Sequence, residues 1–158
     1  MLSLKKSLAV LKKTNALVEG HFVLSSGLHS SKYIQCAKLL SYPHLSKKIC
    51  FSLSRKIKKQ FKNIDLILSP AIGGIIIGYE IGRLLNKETI FCERVKKKFK
   101  LRRGFKIKKK AKVLIVEDVI TTGKSSLECA NIVKRSKGKI LGFACLIDRS
   151  SVNNIKIK

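Results

Sequence analysis

The chain has 158 residues, of which 45% are hydrophobic and only 2 are proline, so it can bury one hydrophobic core and is expected to fold. Its net charge of +26 would suit a nucleic-acid binder, but lysine is dispersed along the whole length and greatly outnumbers arginine, which favours compositional drift and only weak, salt-sensitive contact with RNA. No apolar run approaches the roughly 18 residues of a membrane span and the first residues lack a signal-peptide pattern, so a cytoplasmic protein without a membrane partner is expected.

The N-terminal part of the chain predicts one helix and one hairpin. Leucines at helical spacing oppose a series of lysines, which predicts an amphipathic helix over residues 3–17. The segments 22–24 and 33–35 flank a small polar turn at 25–30, and together they predict a hairpin.

A second helix, a strand and a glycine-containing turn come next. Apolar residues recur every four positions over 44–62 and predict an amphipathic helix, and the apolar run 64–68 predicts a buried strand. The segment 69–74 ends in Gly73 and Gly74, where a long apolar helix begins. Glycines after a strand let the backbone approach a ligand, and amides at a helix start favour an anion, although tight helix packing explains the glycines equally well.

A strongly basic segment follows a short predicted strand at 89–92. Residues 93–104 are mostly lysine and arginine, so the segment repels itself and is predicted to stay mobile until an anion neutralises it. Such behaviour suits a lid over an anionic ligand. A solvated basic hairpin is the alternative interpretation.

The stretch 112–126 carries the clearest chemical pattern. A buried, β-branched strand over 113–116 is followed by Glu117 and Asp118, then by a small polar turn from Thr121 to Ser125 and an amphipathic helix. The helix N-terminus and Gly123 favour a phosphate, whereas the acidic pair suits sugar hydroxyls or helps to hold a cation. Anion donors beside hydroxyl acceptors predict a site for a ribose 5-phosphate.

This stretch has two other interpretations. A nucleotide P-loop would need glycine at position 118, which is aspartate, so Gly123-Lys124-Ser125 does not complete that motif. The plainer alternative is a buried strand before a well-capped helix, with two solvated acids.

The last predicted strand, 140–147, leads into Asp148, Arg149 and Ser150. An arginine at the carboxyl end of a strand can grip a planar carboxylate with two parallel hydrogen bonds. Arg149 is therefore a candidate for binding a carboxylate substrate.

The five cysteines are widely separated and lie mostly in apolar runs, with no Cys-x-x-Cys or Cys/His cluster. This pattern argues against a zinc site and a disulfide framework and favours buried free thiols. Strands that alternate with helices predict an α/β fold with a mostly parallel sheet, with ligands at the carboxyl ends of its strands.

Five stretches resemble the orotate phosphoribosyltransferase family. The segment 113–125, VLIVEDVITTGKS, is similar to the phosphoribosyl diphosphate (PRPP) motif of type I phosphoribosyltransferases: four apolar residues, two acids and Thr-Thr-Gly-x-Ser. Segments 19–40, 69–85, 93–105 and 144–150 resemble other parts of that family. The resemblance implies a type I phosphoribosyltransferase-like domain over 1–158, with a central, mostly parallel sheet flanked by helices, a small hood, a flexible basic loop and a shortened C-terminus.

The resemblance also implies a reaction and a set of roles. The enzyme would transfer a 5-phosphoribosyl group from PRPP to orotate in pyrimidine synthesis, with Mg²⁺ held mainly by the substrate and no metal ligand in the protein. It would form a homodimer that shares the basic loop. PRPP would contact Glu117, Asp118, Val119, Ile120, Thr121, Thr122, Gly123, Lys124 and Ser125, its diphosphate would contact Ala71, Gly73 and Gly74, orotate would contact Thr121 and Arg149, and Arg94, Lys98 and Asp118 would be catalytic.

A purine phosphoribosyltransferase is the alternative within the same fold. Arg149 distinguishes the two enzymes, because purine bases lack the carboxylate that it would bind. An inactive, basic RNA-binding or regulatory protein on that fold is the alternative outside catalysis.

Overall fold

The computed structural model describes residues 2–23 and 29–150, and these residues divide between Ser52 and Leu53 into two compact units. The helices and strands of the first unit are α1 (Leu4–Lys13), β1 (Leu17–Val23), β2 (His29–Ile34), α2 (Cys36–Leu40) and α3 (Pro43–Gln60), the last of which continues into the second unit. Those of the second unit are β3 (Leu66–Pro70), α4 (Gly73–Leu85), β4 (Glu88–Val95), β5 (Lys98–Leu101), β6 (Lys112–Ile120), α5 (Lys124–Arg135) and β7 (Lys139–Asp148).

In the first unit, the predicted helix over 3–17 is wrong at its C-terminal end. The α1 helix ends at Lys13, and Asn15 has a left-handed backbone with φ of 51°, which stops the helical path. Leu17 then begins β1 and pairs with Ile34 of β2 in an antiparallel hairpin. Most of the turn predicted at 25–30 lies outside the described residues. The predicted helix over 44–62 is confirmed as α3 with slightly earlier ends.

The second unit is built on a five-stranded sheet in the order β5-β4-β3-β6-β7. All neighbours are parallel except β4 and β5, so the predicted mostly parallel α/β fold is confirmed. The strand predicted at 64–68 lies two residues later, at Leu66–Pro70. Asp65 directly precedes it, and its carboxylate accepts a hydrogen bond from the Lys112 N–H.

The sheet is buried on both faces by helices. Val113 and Ile115 of β6 pack with Cys129 and Val133 of α5 in the main core cluster. On the other face, Gly74 of α4 lies against Ser69 of β3 so closely that an added Cβ would stand 3.3 Å from the Ser69 Cβ. Because side chains alternate along a strand, odd positions of β6 face α5 and even positions face α4.

The cysteines are free thiols, as predicted, and four of the five are buried. The sulfur atoms of Cys92 on β4 and Cys129 on α5 lie 3.3 Å apart without a disulfide. The contact with Cys92, and then burial, raises the pKa of the Cys129 thiol, so this thiol is neutral at physiological pH. Within residues 2–23 and 29–150, no helix is long and apolar enough to cross a bilayer.

Candidate functional site

Both predicted carboxylates lie inside a strand rather than after it. The sequence placed the end of the strand at Val116, but β6 continues to Ile120, because β7 pairs with it as far as Ile120 and Asp148. Strand geometry therefore directs consecutive carboxylates to opposite faces of the sheet. Glu117 is directed towards α5 and Asp118 towards α4.

Asp118 lies against the turn that opens α4. A Cβ added to Gly73 would stand 2.6 Å from Asp118 Oδ2, which is shorter than any real contact, so only glycine allows this approach. The turn itself is anchored by the Ala71 N–H, which donates to the Cys92 carbonyl at 2.8 Å, and the Ala71–Ile72 peptide is cis. The predicted diphosphate turn and one predicted acid are thus in direct contact.

Asp118 is half-buried, and its Oδ1 accepts a hydrogen bond from the Val119 N–H at 2.9 Å. Such a bond to a carboxylate orients the side chain at the carboxyl edge of the sheet. A ligand at this edge would meet the carboxylate and the start of α4 together.

Glu117 is buried, and its Oε2 accepts a short hydrogen bond from the Ser126 hydroxyl of α5. Burial raises the pKa of the Glu117 carboxyl, the Ser126 hydrogen bond lowers it, and the charge of Asp118 raises it again, so the net shift is upward. The Glu117 carboxylate is thereby fixed beside the first turn of α5.

The predicted phosphate turn occupies the N-terminus of α5. Gly123 is the N-cap residue, and its left-handed φ of 72° is a conformation that glycine adopts without cost. The Lys124 N–H donates to Thr122 Oγ1 at 3.4 Å, and Thr121 and Thr122 are exposed. The first amides of a helix have no partner within the helix and carry its positive dipole end, so this turn can bind an anion.

Arg149 lies beside the same turn. Its backbone N–H donates to the Ile120 carbonyl at 2.8 Å, one residue before Thr121. The carboxyl ends of β6 and β7 therefore bring the backbones of Arg149 and Thr121 close together. The shared role that the family resemblance implied for these two residues stays a prediction.

The basic segment forms a hairpin, which is the alternative interpretation of its sequence, and its mobility before an anion binds stays a prediction. Residues 93–101 form the β4–β5 hairpin, with Lys96 and Lys97 at its turn in left-handed conformations, φ 48° and 67°. Two carboxylates offset the repulsion: Glu93 pairs with Arg102 and Arg103, and Glu128 of α5 pairs with Arg94.

Arg94 is held by several groups of its own subunit. Its guanidinium donates to both oxygens of Glu128 at 3.0 and 3.3 Å and to the Lys97 carbonyl at 2.9 Å, and it stacks 4.0 Å from the Phe99 ring centre. Lys98, the other predicted loop cation, is exposed on β5. The hairpin therefore presents its lysines outward while its arginines hold it in place.

Two residues of this arrangement were missed by the sequence interpretation, Ser126 and Glu128. Both lie on α5, where Ser126 is buried and Glu128 is partly buried. Helical periodicity predicts this burial but not the hydrogen-bond partners. A polar residue on an otherwise apolar helix face needs a hydrogen-bond partner, and this requirement is the signal that would have identified Ser126.

Two carboxylates on opposite faces of β6, the first amides of α5 and Arg149 thus lie at the carboxyl ends of β3, β6 and β7. Helix amides can bind a phosphate, and carboxylates on either side can accept hydrogen bonds from vicinal hydroxyls. Among the described residues, no three His, Cys, Asp or Glu side chains converge as a metal site. The arrangement suits a phosphorylated sugar.

Comparisons with known proteins agree with this chemistry. A family model for the phosphoribosyl transferase domain matches residues 39–154. The chain is 52% identical over 141 residues to the orotate phosphoribosyltransferase of Caldicellulosiruptor bescii, an alignment that covers 89% of this chain and 73% of that protein.

Solved structures show how widely the fold is shared. The orotate phosphoribosyltransferase of Aeropyrum pernix is similar with a TM-score of 0.74 at 22% identity, covering 89% of this chain and 92% of the other. The adenine phosphoribosyltransferase of Saccharomyces cerevisiae is similar with a TM-score of 0.71 at 17% identity, covering 89% of each chain. The fold alone therefore does not distinguish the base.

Proposed function

This chain belongs to the orotate phosphoribosyltransferase family, and we infer that it transfers a 5-phosphoribosyl group from PRPP to orotate. The products are orotidine 5′-phosphate and diphosphate, in the synthesis of pyrimidine nucleotides. The observation that carries the assignment of the site is that β6 directs Glu117 to the phosphate turn of α5 and Asp118 to the diphosphate turn of α4.

We propose that the site acts mainly by binding and orientation. The amides from Thr121 to Ser125 bind the 5-phosphate, and Glu117 and Asp118 accept hydrogen bonds from the ribose hydroxyls. The bond from the ribose C1 carbon to diphosphate breaks while the bond to the orotate nitrogen forms, through an oxocarbenium-like transition state, and the proton on that nitrogen is released. No side chain has to attack carbon, so the protein contributes by fixing both partners and stabilising the departing charge.

Arg149 and Thr121 orient the orotate. The guanidinium suits the carboxylate of the base, because its fork of N–H donors matches two carboxylate oxygens. Support comes from the hydrogen bond between Arg149 and Ile120, which holds Arg149 next to Thr121 at the edge of the sheet.

Mg²⁺ is the proposed cofactor, held by oxygens of PRPP. A hard cation of this kind is usually bound through substrate phosphates with few protein ligands. This fits a site whose two carboxylates, Glu117 and Asp118, are assigned to the ribose hydroxyls. When bound, it neutralises charge on the leaving diphosphate. The residues of the chain position the ribose and the base on either side of the reacting bond.

Arg94 and Lys98 are proposed to contact the diphosphate. Lys98 is exposed, whereas Arg94 must exchange Glu128 for a phosphate oxygen. Because β5 is the outermost strand of the sheet, the tip of the hairpin is available to a second subunit. We propose that each subunit of a homodimer lends this hairpin to its partner.

The α4 helix carries the best surface for a second copy. Ile72, Ile76 and Tyr79 lie on one side of it with 86%, 53% and 67% of their surface exposed. The two charged residues of α4, Glu80 and Arg83, form an ion pair with both contacts at 2.8 Å. This helix therefore adds no net charge to a chain whose net charge is +26. Two such basic chains meet most easily through a neutral, apolar face.

We expect Ile76→Lys to weaken the dimer by roughly 10- to 100-fold in dissociation constant, because it places two like charges in a buried interface. Sedimentation equilibrium over a concentration series measures this. Phe51→Lys, which changes an exposed apolar residue elsewhere, is the matched control and should leave the dimer intact. Equal dissociation constants for the two variants would contradict the α4 interface.

The activity is tested with the purified chain, Mg²⁺, PRPP and orotate, with hypoxanthine as the control base. Formation of orotidine 5′-phosphate and no product with hypoxanthine are expected. Turnover of hypoxanthine in place of orotate would assign the chain to purine salvage, and the absence of both products together with salt-resistant RNA binding would favour a non-catalytic role.

A further inference from the structure

Ser126 follows the proposed phosphate turn directly, but its side chain does not belong to that turn. It is 3% exposed on the buried side of α5, and its hydroxyl donates to Glu117 Oε2. We propose that Ser126 is a positioning residue, which holds one oxygen of Glu117 against α5 and leaves the other for a ribose hydroxyl of PRPP. This inference rests on the proposed function.

The physical need for such a residue follows from the flexibility of glutamate. A glutamate has three side-chain torsions, and ordering them at the moment of binding costs conformational entropy. A hydrogen bond that already fixes the carboxylate lowers this cost, so PRPP binds to a prepared acceptor. At 9% exposure, Glu117 has little water to serve as a substitute partner.

Ser126 also links two parts of the ligand site. Ser125 belongs to the proposed 5-phosphate contacts, and the next residue along α5 holds the proposed ribose contact. One rigid helical turn therefore sets the distance between the phosphate and hydroxyl sites, which must match the fixed spacing of these groups in a ribose 5-phosphate.

The charge state of Glu117 depends on the same hydrogen bond. The titratable groups whose charges interact with Glu117 are Asp118 on its own strand, Cys129 on α5 and Cys145 on β7. Burial is the largest influence on the Glu117 pKa and raises it, whereas the Ser126 hydrogen bond lowers it. Burial and nearby acids likewise raise the pKa of Cys145 to about 11, so this thiol is neutral and adds no charge near pH 7.

We expect Ser126→Ala to raise KM for PRPP roughly 10-fold while kcat changes much less, since the lost hydrogen bond no longer orders the charged carboxylate before PRPP binds. Without the hydroxyl the Glu117 pKa rises further, so the carboxylate is lost at a higher pH. The acid limb of the kcat/KM profile for PRPP should therefore move to higher pH.

A nearly isosteric pair separates the hydroxyl from packing. Ser126→Thr retains the donor and Ser126→Val lacks it, so the Val variant should show the raised KM and the shifted acid limb, and the Thr variant should resemble wild type. The control is Ser46→Ala, a buried helical serine whose hydroxyl donates to the Pro43 carbonyl at 3.3 Å. It can lower stability but should move neither KM nor the pH profile.

The outcomes are distinguishable. A wild-type protein that forms no orotidine 5′-phosphate would overturn the proposed function. An active wild type whose Thr and Val variants share one KM for PRPP and one pH profile would overturn the role of Ser126 alone.

Discussion

Gly73→Ala is expected to lower kcat/KM for PRPP by roughly 100-fold or more, because a displacement of about 1 Å at a reacting centre has an effect of that size. The new Cβ would stand 2.6 Å from Asp118 Oδ2 and 2.9 Å from its Cγ, so the carboxylate has to move. Steady-state rates with varied PRPP at saturating orotate measure the loss.

Two further variants separate the cause. Asp118→Asn keeps the shape of the side chain and removes its charge, and it should also lose much of kcat/KM. Gly138→Ala is the steric control, since its Cβ would stand 2.9 Å from Val133 Cγ1 at the far end of α5. The control should lower the melting temperature with kcat/KM retained. A wild-type rate from Gly73→Ala would remove Asp118 from the site.

Arg149→Ala is expected to lower kcat/KM for orotate by roughly 100-fold, since the loss of a hydrogen-bonded charge pair costs about 2 to 5 kcal/mol. KM for PRPP should change little, because Arg149 is assigned to the base. Initial rates with varied orotate at saturating PRPP distinguish the two substrates.

Arg149→Lys tests the geometry of the contact, since lysine keeps the charge but lacks the planar fork, and only partial recovery is expected. Arg135→Ala at the C-terminal end of α5 is the matched control for the loss of one positive charge, because this arginine is exposed and distant from the carboxyl ends of the strands. Equal losses from Arg149→Ala and Arg135→Ala would mean that only total charge matters.

The sheet was predictable because its strands are nearly continuous apolar runs. The four residues Val113 to Val116 are fully buried, and such a run between helical patterns has few alternatives to a central parallel strand. The end of β6 was less predictable, since Glu117 and Asp118 are poor strand formers in isolation. Pairing with β7 as far as Asp148 overrides their local preference.

The basic hairpin could not be derived from local charge alone. Within it, Arg94 pairs with Glu128, which lies 34 residues further along the chain, and stacks over Phe99. The same limit applies to Ser126, whose partner Glu117 lies on another element. In both cases, the partner of a polar side chain lies on another element, so it cannot be identified from the neighbouring sequence.

The lysines of β5 also affect how the protein behaves at high concentration. This strand forms one border of the sheet, and Lys98 and Lys100 are exposed along it with Phe99 buried between them. An uncovered border offers backbone groups to any other extended chain, which is a route to fibrils and precipitates, and protruding cations keep such chains apart. The alternation of side chains that exposes Lys98 and Lys100 thus protects this edge strand against aggregation.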